Sequence, residues 1–82
     1  MKKIWILQMF MAGIREVRLC HPEIFQDEAE AKARVVSIYN TQINFHQDKG
    51  LLEHSINDEK TRCEIISATN FTEVLLDEAE VD

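Results

Sequence analysis

Residues 3–20 read KIWILQMFMAGIREVRLC, and this stretch decides the fold class. Its first part, Lys3–Met11, is rich in the Ile, Trp and Phe side chains that favour β-strands. An Ala-Gly pair suited to a tight turn follows, and a second strand-like run then covers Ile14–Cys20. The sequence therefore predicts an N-terminal β-hairpin in which Met11 pairs with Ile14.

The first predicted strand carries apolar side chains on both of its faces, because successive residues of a strand point to opposite sides. One face holds Trp5, Leu7, Met9 and Met11, with Ile14 beside them in the paired strand. The other face holds Ile4, Ile6 and Phe10. Since one helix can cover only one face of a sheet, the second face requires the C-terminal segment, a second subunit or another partner.

A long helix is predicted over residues 28–48. Asp27 is suited to cap its first turn, and Glu30, three residues later, completes a capping box. Gly50 is a typical stop signal after the last turn. The helix is apolar over more than half of its circumference, which again exceeds the single stripe of an ordinary surface helix.

A second hairpin is predicted from Leu51–Asn57 and Thr61–Ser67, with Ile56 opposite Thr61. The remaining segment is interpreted as a short acidic helix capped by Asn70. A strand through Val74–Leu76 is the alternative for that segment.

The predicted element order is thus ββαββ(α), a small α+β two-layer sandwich. We expect a mostly antiparallel sheet with one long helix on one face, and a short acidic helix at the C-terminus. The chain is predicted to form a single α+β domain over 1–82, with a folded body over 1–70 and an acidic C-terminal segment over 71–82.

The charge of the chain is unevenly distributed. The net charge is −6, yet residues 1–62 contain nine acidic and nine basic side chains, whereas residues 63–82 contain six acidic side chains and no basic one. An acidic chain without a basic cluster is not expected to bind nucleic acid directly, nor an anionic membrane surface. No apolar run reaches the ~18–20 residues of a transmembrane helix. Lys2 and Lys3 followed by an apolar run imitate a signal peptide, but Gln8 interrupts the run and residues 11–13 are a poor cleavage site, so we expect a cytoplasmic protein.

Cofactor and metal chemistry finds no support in the residue spacing. The two glycines lie far apart in the chain and cannot build a phosphate-binding loop. The cysteines and histidines lack the short paired spacing of zinc ligands. We therefore predict no cofactor and no metal site, and we expect Cys20 and Cys63 to be free thiols.

One pair of reactive side chains comes together in the predicted second hairpin, where His54 lies opposite Cys63. An imidazole beside a thiol can generate a reactive thiolate. No third orienting group accompanies the pair, so we predict no catalytic residue. The alternative is a small enzyme, or an enzyme subunit whose site forms at a dimer interface, with His54, Cys63 and His21 as the candidate groups.

The excess of apolar surface indicates a non-enzymatic protein-binding module that has a protein partner and forms a homodimer. Trp and Met are enriched in the cores of interfaces, and a carboxylate cluster can set orientation and encounter rate. By analogy of size and charge alone, phage-encoded inhibitors that occlude a basic nucleic-acid-binding surface are one such class. The predicted partner-binding residues are Trp5, Leu7, Met9, Met11, Ile14, Glu73, Asp77, Glu78 and Glu80.

Overall fold

A computed structural model describes residues 2–81. Its elements in chain order are β1 (Lys2–Ala12), β2 (Val17–Leu19), β3 (Glu23–Phe25), α1 (Glu28–Gln47), β4 (Leu51–Ile56), β5 (Arg62–Ser67) and β6 (Phe71–Val81). The strands form one antiparallel sheet in the order β2-β1-β6-β5-β4, and β3 also pairs with β1. The predicted α+β class, with a mostly antiparallel sheet and one long helix, is confirmed.

The C-terminal segment is a strand rather than the expected helix, and α1 is the one helix among the described residues. β6 lies between β1 and β5 and pairs with β1 along the full length of both strands, from Lys2 opposite Val81 to Ala12 opposite Phe71. A helix there would leave the backbone groups of β1 and β5 that now face β6 without sheet partners. Residues 71–81 therefore belong to the centre of the sheet, and Asp82 lies outside the described residues.

The first hairpin forms, but its register differs from the prediction. Val17, not Ile14, begins the paired strand, and it lies opposite Ala12. A four-residue loop joins the strands, and the Gly13 amide donates a hydrogen bond to the Glu16 carbonyl at 2.7 Å. The shift is an even number of residues, so each side chain keeps the face that the sequence predicts.

The second hairpin shows a similar, smaller correction. Ile56 lies opposite Cys63 rather than Thr61, and Glu53 lies opposite Ile66. The predicted register would have placed Glu53 opposite Glu64, and the observed register avoids that like-charge pair. As in the first hairpin, the even shift leaves the two faces unchanged.

The core lies between α1 and one side of the sheet, which we call the helix side. Asp27 caps α1 as predicted, because its carboxylate accepts a hydrogen bond from the Ala29 amide at 3.2 Å. The buried apolar residues of the resulting cluster are Leu7, Ala31, Val35, Ile38, Cys63, Val74 and Leu76. The structure therefore places odd-numbered β1 residues under α1.

Candidate functional site

The side of the sheet opposite α1 is also apolar, and we call it the open face. Strand alternation and the observed registers place twelve apolar residues there: Ile4, Ile6, Phe10, Ala12, Val17, Leu19, Ile24, Ile66, Phe71, Leu75, Ala79 and Val81. The one described element outside the sheet, α1, packs on the helix side. No described element therefore covers the open face.

Solvent reaches the open face most freely at its β2 and β3 edge. Val17, Leu19 and Ile24 are 75%, 79% and 65% exposed. Towards the middle of the sheet the side chains are half-buried by their neighbours, and the rings of Phe10 and Phe71 meet edge-on with centroids 6.1 Å apart. A shallow depression of about 320 Å³ lies beside these rings. The surface is thus broad and flat, as protein–protein contact surfaces are, rather than a deep ligand pocket.

The molecule is thin for its length, and its accessible surface is large for its mass. The Cα atoms span 45 × 25 × 14 Å, so the chain is a thin slab of one helix layer on one sheet. Its accessible surface is 5641 Å², against about 5,100 Å² expected for a folded monomer of this mass. An uncovered sheet face accounts for an excess of this kind.

The apolar residues predicted to bind a partner mostly lie on the other side. Leu7 is 2% exposed in the core, and Trp5 and Met9 pack against that core beneath α1. Met11 also lies on the helix side, near Phe45 at the C-terminal end of α1. Ile14 is exposed in the loop after β1. On β1, the even-numbered residues lie on the open face, and the predicted odd-numbered residues lie on the helix side.

The predicted acidic residues are divided between the two sides of the sheet. On the open face, Glu73 lies 3.1 Å from the Arg62 guanidinium, which also contacts Glu64 at 2.7 Å. These two carboxylates, Glu64 more than Glu73, raise the pKa of Arg62. Asp77 lies further along the same face.

The other two acidic residues lie on the helix side. Glu78 forms a 2.9 Å ion pair with Lys3, and its hydrogen bond is the main reason that the pKa of Lys3 is raised. Glu80 lies opposite Lys3 in the strand register. The four residues therefore do not make one acidic patch.

No family model, no curated protein and no solved structure matches the chain. The function is therefore argued from the residues themselves.

The predicted pairing of His54 with Cys63 is wrong, because His54 lies opposite Ile65 and Cys63 lies opposite Ile56. Cys63 is buried, and desolvation, reinforced by the charge of Glu64, raises the pKa of its thiol to about 11. Nδ1 of His54 is hydrogen-bonded to the Tyr39 hydroxyl. His21 is exposed in the segment between β2 and β3. The thiol is therefore protonated at neutral pH, and the imidazole that the sequence placed opposite it has another partner.

Within residues 2–81, no group of three or more His, Cys, Asp or Glu side chains is arranged to hold a metal ion. No helix in that range is long and apolar enough to cross a bilayer. Both cysteines are free.

The sequence did not predict a buried polar cluster that lies around His46. His46 is fully buried, with Nδ1 2.9 Å from the Ser67 hydroxyl and Nε2 2.9 Å from the Thr72 hydroxyl. Thr72 in turn donates to Gln42 Oε1 at 3.0 Å. Helical spacing could have revealed this position, since residue 46 falls on the same side of α1 as the buried Val35. Desolvation lowers the pKa of His46, so the cluster is neutral at physiological pH.

Proposed function

We propose that this chain is a non-enzymatic protein-binding module that docks through the open face. The observation that carries the proposal is the row of apolar side chains on the side of the sheet away from α1. Exposed apolar patches of several hundred Å² are unusual on monomeric proteins and typically mark interaction sites.

The ion pairs support an apolar rather than an acidic docking surface. Glu73 and Glu78 are each held by a basic residue of the same chain, Arg62 and Lys3. A carboxylate that is already paired contributes less to attracting a basic partner. Asp77 lies on the open face and Glu80 on the helix side, so of these two only Asp77 brings charge to the docking surface. We extend the proposal to a cytoplasmic location, which two free thiols fit.

Site-specific photo-crosslinking in a lysate of the source cells tests this proposal. A photo-reactive phenylalanine analogue at Leu19 probes the open face, and the same analogue at Ala33, exposed on α1, is the matched control. We expect crosslinked protein, either a second copy or a different chain, from position 19 and much less from position 33. Equal yields at both positions, or no adduct at position 19, would contradict a docking role for the open face.

A further inference from the structure

We propose that the occupant of the open face is a second copy of this chain, so that two sheets pack face to face in a two-fold symmetric dimer. This inference rests on the proposed function and names its partner. The assembly would have four layers, with the two sheets inside and one α1 on each outer surface.

The dimensions of the open face match those of a stable interface. β1 and β6 are each eleven residues long, which corresponds to about 36 Å at ~3.3 Å per residue. The four strand positions from β2 to β5 span about 19 Å at ~4.8 Å each. Because β5 has six residues and β2 and β3 have three each, the area summed strand by strand is roughly 540 Å² per copy, and two copies together reach the ~1,000 Å² that a specific interface needs.

The surface chemistry is that of the inner face of a β-sandwich. Sheets that pack on one another present alternate apolar side chains inward, about 10 Å apart. Ile6, Phe10 and Leu75 supply such side chains on the two central strands. A two-fold contact uses the same patch twice, so an apolar face is complementary to itself without requiring opposite charges.

The one basic side chain of the charged cluster on the open face, Arg62, is paired within one copy. The Arg62 side chain is neutralised by Glu64 and Glu73 within one copy. A facing copy therefore does not have to supply a counter-ion for Arg62. The cluster keeps one net negative charge, and Asp77 adds another further along the same face.

The edges of the sheet are poorly suited to the competing mode, in which strands pair across copies. One edge is divided into β2 and β3, three residues each, with Pro22 between them. The other edge, β4, has an irregularity between Leu51 and Glu53. Short strands, prolines and bulges are the features that block edge-to-edge pairing.

Multi-angle light scattering on the purified full chain, from about 10 µM to 1 mM, tests the inference. We expect the wild-type mass to approach twice the 9.6 kDa of one chain. Leu19→Glu and Ile24→Glu place a charge on the open face at positions that are already solvent-exposed in the single chain, and each should reduce the mass to that of one chain. The matched control is Ala33→Glu, since Ala33 is exposed on α1, which packs on the other side of the sheet, and it should leave the mass unchanged.

Circular dichroism and thermal unfolding of each variant establish that it is folded. A wild-type mass of one chain over the whole range overturns the second copy as occupant. The second copy is also ruled out as occupant if the Leu19→Glu and Ile24→Glu variants are both folded and both keep the doubled mass. A monomeric wild type that still crosslinks from position 19 to a different protein overturns the dimer and leaves the proposed function standing, whereas a monomer with no such crosslink overturns both.

Discussion

Leu7 of β1 lies directly opposite Leu76 of β6, and both side chains are buried beneath α1. This contact joins strands from the two ends of the chain at the centre of the core. The acidic C-terminal segment is consequently part of the fold, and its removal would expose the backbone edges of both β1 and β5.

Shortening the Leu76 side chain should therefore destabilise the fold as much as a large-to-small substitution elsewhere in a protein core. We expect Leu76→Ala to lower the free energy of unfolding by about 2–5 kcal/mol, because it loses buried area and leaves a cavity. Urea unfolding followed by circular dichroism gives the difference. Leu52→Ala, at an exposed position, is the control and should change the free energy by less than about 0.5 kcal/mol. Equal effects at both positions would mean that β6 does not lie in the core.

The buried His46 predicts a pH dependence of stability. Its pKa is lowered in the folded chain from the ordinary value of 6.5, so the unfolded chain binds a proton that the folded chain does not. Stability should be full above about pH 6.5 and should fall as the pH drops below it. The urea midpoint at about pH 7.5 and about pH 5.5 measures this loss.

Two variants isolate the contribution of His46 to the change in urea midpoint between the two pH values, which we call the pH slope. His46→Gln has no imidazole to titrate at the buried site, so its midpoint should change less between the two pH values. His21→Gln, at an exposed position, should keep the wild-type slope. Carboxylate titration contributes to all three proteins alike and cancels in the comparison. The same slope in His46→Gln and wild type would show that His46 is not the titrating group.

The two thiols should differ in reactivity. Cys63 is buried and the pKa of its thiol is raised to about 11, whereas Cys20 is partly exposed. Iodoacetamide at neutral pH should therefore modify Cys20 in the native protein and reach Cys63 only after unfolding. Mass spectrometry of digested, time-resolved samples measures both rates. Rapid native modification of Cys63 would instead indicate a reactive thiolate and favour an enzymatic function.

The turn between β4 and β5 holds a strained residue. Lys60 has φ 61°, a left-handed conformation that a side chain disfavours. Lys60→Gly should raise the free energy of unfolding by up to about 1 kcal/mol, as read from the urea midpoint. Glu59→Gly, in the same turn but without positive φ, should not raise it. A stabilising effect at position 59 and none at position 60 would contradict this turn geometry.

Much of the fold could be predicted because its signals are local. The Ile- and Phe-rich run of β1 is a strong strand signal, and Asp27 and Gly50 delimit α1 from either side. The prediction that both faces of β1 are apolar also depends only on alternation, so it survives the changed hairpin register.

The C-terminal strand could not be predicted in the same way, because its side chains suit two periodicities. Phe71, Val74 and Leu75 fall on one side of a helix, whereas Thr72, Val74 and Leu76 alternate towards one side of a strand. Pairing with β1, some seventy residues earlier, decides between them. The sequence also could not show which face of β1 stays uncovered. The side of the sheet on which α1 packs depends on contacts across the whole chain.

The most direct test of the account is an isotope-filtered nuclear Overhauser experiment on a mixture of labelled and unlabelled chains at high concentration. The account predicts contacts between copies that join methyl groups of the open face, such as those of Ile6 and Leu75, to the rings of Phe10 and Phe71. Contacts between copies confined to α1 or to β4, or none in the concentrated sample, would contradict it.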